Sequence, residues 1–180
     1  GEQAVLHATL TQLEGLITAK KLDGTANILT WDELLQPLGE GERTFIDAFR
    51  ALKAADLGAT SHYFGEPASQ PDLVPVGLQH VLKDGGIKAL DPQFLPRNVF
   101  EAYELMMQAM RYDLGKQLLV ESGYRSPAYQ LYLFMFYLPK HGYSIRETNR
   151  FVALPGHSEH GNPDRQAIDL HKYVEVWKQH

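Results

Sequence analysis

The chain has 180 residues, of which 44% are hydrophobic and 22% charged, and its formal net charge is −5. This length suits a single domain, residues 1–180, with a sizeable core, whereas the acidic balance without a basic stripe argues against a nucleic-acid partner. No run approaches the roughly 18 apolar residues of a transmembrane segment, and the lack of cysteine excludes disulfides, thiolate metal sites and a cysteine nucleophile.

The first 75 residues are predicted to form a helical N-terminal region, whose role the sequence does not identify. Apolar residues three and four positions apart predict an amphipathic helix from Gln3 to Leu22. Thr30 precedes two carboxylates and is typical of a helix start. A further helix is predicted from Glu42 to Leu57, and the Gly- and Pro-rich stretch from Thr60 to Pro75 predicts a connecting loop.

From Val76 onward the pattern changes to shorter elements. We predict a short helix from Val76 to Lys83, a short strand from Ile87 to Leu90, and a helix from Val99 to Tyr112 with Asn98 as its cap. The residues expected on the inward face of that last helix are Ala102, Met106, Ala109 and Met110.

The C-terminal third is predicted to mix strands and helices. The apolar run from Lys116 to Glu121 predicts a buried strand, and Pro127 suits the first turn of a long helix that ends near His141-Gly142. Gln166 to His171 predicts another strand, and Val174 to His180 has the pattern of a helix interior. Helices followed by short, separated strands indicate an α+β fold.

Two groups of residues carry chemistry. The first is the Ser-Gly-Tyr-Arg-Ser turn at 122–126, followed by Gln130, at a predicted strand-to-helix junction. Arg125 can donate two parallel hydrogen bonds to a carboxylate, although a turn with a structural ion pair is the alternative.

The second group is the Pro-Gly-His-Ser-Glu-His stretch at 155–160 and the Ala-Ile-Asp-Leu-His stretch at 167–171. Imidazole and carboxylate are ligands of catalytic zinc, although a histidine-rich surface loop is the alternative.

In their order and spacing these motifs resemble the VanY-type D-alanyl-D-alanine carboxypeptidases, a family of zinc peptidases that act on peptidoglycan peptides. The resemblance is specific from Ser122 to Asp169 and assigns 76–180 as the peptidase core. It implies a small antiparallel sheet with packed helices beneath a Zn²⁺ site.

The resemblance also implies a role for each matching residue. His160 and Asp169 correspond to two zinc ligands. Arg125, Gln130 and Ser158 correspond to residues that position the substrate, and Arg125 is also expected to act in catalysis by stabilising the developing oxyanion.

The chain departs from the family pattern in two places. His160 and Asp169 are nine positions apart, which is more than is usual, and an insertion in this turn is tolerable. The family's third motif, a Glu and a His separated by two residues, supplies the general base and the third ligand, and it is missing here. Glu175 and His180 are separated by four residues and do not reproduce it.

Three explanations remain open for the missing motif. The sequence is truncated relative to an active parent, catalysis has been lost, or local residues complete the site. His171 is the best local candidate, because residues i and i+2 of a strand face the same side.

The function predicted from these residues is zinc-dependent carboxypeptidase or endopeptidase activity on peptidoglycan stem peptides. The sequence begins with Gly1 and not Met, so residues were removed by processing or by design, and we expect a secretory signal among them. The peptidoglycan substrate implied by the resemblance predicts that the protein acts in the periplasm or outside the cell. The alternatives are a non-catalytic peptidoglycan-peptide-binding module and a helical interaction protein that uses its first 75 residues.

The missing motif predicts that the 180-residue form is weakly active, and that a C-terminally extended form is more active. A positioned general base contributes about 10² to 10⁴ in rate, so its loss together with one ligand should nearly silence the site. Release of D-alanine from a muropeptide with added zinc, measured for both forms, tests this. Strong release by the 180-residue form would contradict it.

Overall fold

The computed structural model describes residues 1–175, the last four through their backbone alone. Within this range the chain alternates helices with short antiparallel strands, which confirms the predicted α+β class. No helix in it is both long enough and apolar enough to cross a bilayer. The α-helices are α1 Glu2–Asp23, α2 Trp31–Leu35, α3 Glu40–Ala51, α4 Arg97–Leu114, α5 Pro127–Tyr137 and α6 Ile145–Asn149. The strands are β1 Leu73–Pro75, β2 His80–Lys83, β3 Gly86–Ala89, β4 Phe94–Pro96, β5 Lys116–Ser122 and β6 Asp169–Glu175.

The N-terminal helices begin and end largely where the sequence predicts. Helix α2 begins with a reciprocal cap, in which the Glu33 N–H donates to Thr30 Oγ1 at 3.1 Å and the Thr30 N–H donates to Glu33 Oε1 at 3.0 Å. The predicted helix from 42 to 57 is wrong in one respect. It divides into α3 and a 3₁₀ turn, Ala54–Leu57, because Leu52 between them is extended.

The larger hydrophobic core joins the N-terminal helices to α5. Leu13 of α1, Ile46 of α3 and Phe134 of α5 are completely buried in it, together with Leu154 from the loop after α6. Helix α5 begins directly after the turn at 122–126, so this core fixes the position of the segment that follows the turn. The division of the chain at residue 75 stays a prediction.

A smaller core packs α4 against β5. Tyr103 and Met107 of α4 are buried there with Val120 of β5, and the Tyr103 hydroxyl donates to the Leu118 carbonyl at 2.6 Å. The predicted inward face of this helix is therefore wrong: Ala102 and Ala109 are exposed, Met106 is 45% exposed, and of the predicted set Met110 alone packs against this core. Apolar residues occur on several sides of α4, so spacing alone did not identify the buried side.

The strands form three separate two-stranded antiparallel sheets in the described part of the chain, β1–β4, β2–β3 and β5–β6. The predicted helix from Val76 to Lys83 is wrong, because His80–Lys83 is strand β2, whereas the strand predicted at 87–90 is confirmed as β3. Asp84 and Gly85 connect the two strands with positive φ angles of 52° and 78°. This is the two-residue Asp-Gly hairpin turn.

The β5–β6 sheet brings the two chemical regions together. The predicted strand at 116–121 is confirmed as β5, and Ser122 at its end pairs with Asp169 at the start of β6. The strand predicted from Gln166 begins later, at Asp169. The predicted helix from 174 is wrong at Val174 and Glu175, which are extended and paired with β5. Its remainder, 176–180, lies outside the described residues.

We predict that Gly123→Ala destabilises the fold by about 1–3 kcal/mol, because a β-carbon there forces backbone atoms apart. It would lie 2.5 Å from the Phe94 carbonyl oxygen and 3.0 Å from Leu95 Cδ2. Gly15→Ala is the matched control. This residue lies exposed within α1 with no atom within 4 Å of the added carbon, so stability should rise by about 1 kcal/mol. Urea unfolding measures both, and an unchanged midpoint for Gly123→Ala would contradict the close packing.

Candidate active site

The turn between β5 and α5 is held by hydrogen bonds to two other parts of the chain, residues 93–94 and Asn27. The Gly123 N–H donates to Gln93 Oε1 at 2.9 Å, and the Tyr124 N–H donates to the Phe94 carbonyl at 2.8 Å. The Ser126 N–H donates to the Asn27 carbonyl at 2.8 Å, and its hydroxyl caps α5. These bonds fix the backbone on both sides of Arg125.

His160 is fastened to this turn by two bonds. Its Nδ1 lies 2.9 Å from the Gly123 carbonyl oxygen, and its own carbonyl accepts from the Arg125 N–H at 2.9 Å. A carbonyl oxygen can only accept, so Nδ1 carries a proton, and in the neutral ring Nε2 has a free lone pair. A histidine held in this way by its second nitrogen is oriented as metal ligands usually are.

Asp169 lies next to that lone pair. Its Oδ2 is 3.2 Å from His160 Nε2, and its side chain is 65% exposed, whereas that of His160 is 12% exposed. The loop from His160 to Asp169 is longer than usual, but two hydrogen bonds fold it back on itself. Gln166 Nε2 donates to the His160 carbonyl at 3.1 Å, and the Ala167 N–H donates to the Glu159 carbonyl at 3.2 Å. The two predicted zinc ligands therefore converge despite the insertion.

The separation of these two atoms fits a zinc ion. Two ligands of a tetrahedral zinc with bonds of about 2.0–2.1 Å lie about 3.3 Å apart, which matches the 3.2 Å observed. Zinc needs at least a third protein ligand in catalytic sites. Among the described residues no group of three His, Cys, Asp or Glu side chains is suitably placed. The described residues thus bring together two side chains of zinc-ligand type.

His171 does not complete the set, contrary to the local explanation for the missing motif. It lies on β6 opposite Leu119, and its Nδ1 is buried without a hydrogen-bond partner. The side chain of Glu175 and all of His180 lie outside the described residues.

The positive charge of Arg125 lies near the His160–Asp169 pair. Its guanidinium is half-buried, and its Nε is buried without a partner. Burial lowers the pKa of Arg125 and the carboxylate of Asp169 opposes this shift, but an arginine stays protonated in proteins. A partly desolvated cation with free donors binds a carboxylate or an oxyanion strongly.

Gln130 and Ser158 hold the loop that carries His160. Gln130 is 3% exposed and its Nε2 donates to the Ala153 carbonyl at 2.8 Å, whereas its Oε1 is buried without a partner. Ser158 Oγ accepts from the His160 N–H at 3.2 Å, so its hydroxyl proton is still available to a ligand.

The same loop is attached to the N-terminal region through His157, a contact that sequence reasoning missed. His157 Nε2 accepts from the Ala54 N–H at 3.0 Å, and the Tyr63 ring packs against its ring. The Gly156 carbonyl accepts from the Phe64 N–H at 2.8 Å. These partners lie about a hundred residues away in the sequence, so no local pattern reveals them.

The part of the chain that contains this site is similar to a known protein family. Residues 92–174 match the family model VanY, described as D-alanyl-D-alanine carboxypeptidase, which confirms the resemblance predicted from the motifs. The matched segment contains all five predicted site residues. No curated protein and no solved structure matches the chain.

We predict that His160→Ala weakens zinc binding by at least about tenfold, since it removes one of the two converging ligands. His80→Ala is the control, because His80 is exposed on β2, far along the chain from the pair. Competition with a chromophoric chelator measures both affinities. Equal affinity of the parent and His160→Ala would show that the ion binds elsewhere.

Proposed function

We propose that this protein is a zinc-dependent carboxypeptidase, or an endopeptidase, that hydrolyses peptide bonds in the stem peptides of bacterial peptidoglycan. The observation that carries the proposal is the 3.2 Å approach of His160 Nε2 to Asp169 Oδ2, beside the Arg125 turn. The match of residues 92–174 to the VanY family model supports the substrate class. Such a substrate implies action in the periplasm or outside the cell.

His160 and Asp169 would hold the zinc ion through Nε2 and a carboxylate oxygen. The bound ion would supply Lewis acidity, which polarises a peptide carbonyl and activates water. The Gly123 carbonyl keeps the proton on Nδ1 of His160, so the nitrogen facing Asp169 stays available as a ligand. The exposed Asp169 side chain leaves this position open to substrate.

Arg125 would bind the substrate's terminal carboxylate or the negative charge that develops on its carbonyl oxygen. Partial burial strengthens both interactions, because water screens them less. The hydroxyl of Ser158 would donate to the same carboxylate or carbonyl. For Gln130 a direct contact with substrate stays a prediction, and its bond to Ala153 supports a second contribution, the positioning of the 153–158 loop.

A second candidate function is a peptide-binding module without catalysis. It is favoured by one observation, that the described residues include no group of three side chains placed to hold a metal ion. Binding of a muropeptide without its cleavage, in protein supplied with zinc, would support this module. Zinc-dependent release of D-alanine would support the peptidase.

We predict that Arg125→Lys lowers kcat/KM for a D-Ala-D-Ala peptide by about 10²-fold or more, since lysine keeps the charge but loses the paired donors. The measurement is zinc-dependent D-alanine release, with unfolding midpoints recorded alongside. Arg150→Lys is the control, because Arg150 is exposed and pairs with Glu147 within its own turn of chain. A structural role would be indicated if Arg125→Lys were fully active and Arg125→Ala unfolded.

A further inference from the structure

The segment Phe64–Asp72, here called the strap, is fastened at its two ends. At one end the Phe64 and Gly65 N–H groups donate to the Gly156 carbonyl at 2.8 and 3.1 Å, and Glu66 accepts from Arg50. At the other end the Asp72 carboxylate pairs with Arg97 at 2.8 Å. The strap therefore connects the loop before His160 to the start of α4.

Between these ends the strap has no hydrogen bonds to other parts of the described chain. The backbone groups of Ala68, Ser69 and Gln70 have no partner among the hydrogen bonds of residues 1–175. Pro67 and Pro71 flank them, and proline fixes its own φ and disfavours helix in the residue before it. Backbone N–H and C=O groups without partners in the protein are available as donors and acceptors to a bound peptide.

A cleft of about 890 Å³ lies along the strap. Its other walls are Pro96–Asn98 and Glu101 at the start of α4, and Gly161–Asp164. This volume lies within the roughly 300–1,000 Å³ that is usual for ligand sites.

The cleft adjoins the candidate active site along the chain. Gly161 lines it and directly follows His160 in the chain. A β-carbon on Gly161 would lie 3.0 Å from the Arg125 carbonyl oxygen, so this wall of the cleft rests on the Arg125 turn. A peptide bound in the cleft would therefore lie next to the loop segment that carries His160.

We propose that this cleft binds the part of the substrate peptide that precedes the cleaved bond, with the strap as one wall. The inference rests on the proposed function. A carboxypeptidase releases only the terminal residue, so nearly all of a stem peptide lies on the other side of the bond and needs the larger space. The strap precedes residue 92, where the family match begins, so this wall is supplied by the N-terminal region of this chain.

The test compares a pentapeptide ending in D-Ala-D-Ala with N-acetyl-D-Ala-D-Ala, which is too short to occupy the cleft. Asn98→Trp fills the cleft from the exposed start of α4, and Gln108→Trp places the same bulk on an exposed part of α4 outside the lining. Calorimetric titration of zinc-supplied protein measures affinity, and D-alanine release measures turnover. Ser69→Trp, on the exposed strap, replaces Asn98→Trp should that variant unfold.

We expect the parent to bind the pentapeptide more tightly than the dipeptide. Asn98→Trp should weaken pentapeptide binding by about tenfold and leave dipeptide binding nearly unchanged, as loss of a remote contact does, and Gln108→Trp should alter neither. Equal affinity of the parent for both peptides, equal effects of the two Trp variants, or no binding of either peptide would overturn the cleft assignment. Binding with the expected contrast but without turnover would refute the peptidase and keep the cleft.

Discussion

The candidate site depends on two hydrogen bonds between the Arg125 turn and His160. The Gly123 carbonyl sets the ring orientation and tautomer of His160, and the Arg125 N–H holds its backbone. A cationic side chain and a metal-ligand side chain are thereby fixed relative to each other before any ligand arrives. Such preorganisation matters because charges that are already in place need no rearrangement during a reaction.

Two hydrophobic cores hold the segments on either side of the Arg125 turn. The larger core carries α5, which begins just after the Arg125 turn, and the smaller one carries β5, which ends just before it. Because Ser122 pairs with Asp169, the sheet that ends at the turn also delivers the carboxylate. The N-terminal region adds a third support through His157 and the strap. Its helices are thus part of what shapes the site.

The sequence predicts the parts of this arrangement that depend on local chemistry. The capped helix start at Thr30, the strand before the turn and Pro127 at the start of α5 are all found. The helix predicted from Val76 is wrong, because Asp84 and Gly85 form a hairpin turn that joins β2 to β3. The buried side of α4 could not be predicted, because several of its sides are apolar. Tyr103 lies on the buried side, where its hydroxyl donates a hydrogen bond to β5. The contacts of His157 depend on residues about a hundred positions away, which no motif encodes.

In the proposed function, peptide binding and peptide cleavage depend on different residues. Arg125, Ser158 and the residues that line the cleft all lie between positions 64 and 164, whereas the proposed ligand Asp169 lies beyond them. His160 Nε2 and Asp169 Oδ2 are both acceptors 3.2 Å apart, so they need a proton or a cation between them. A proton satisfies the pair as a simple ion pair, whereas a zinc ion requires further ligands to be retained. The peptidase and the binding module therefore share the same substrate surface, and they differ in what occupies the space between these two atoms.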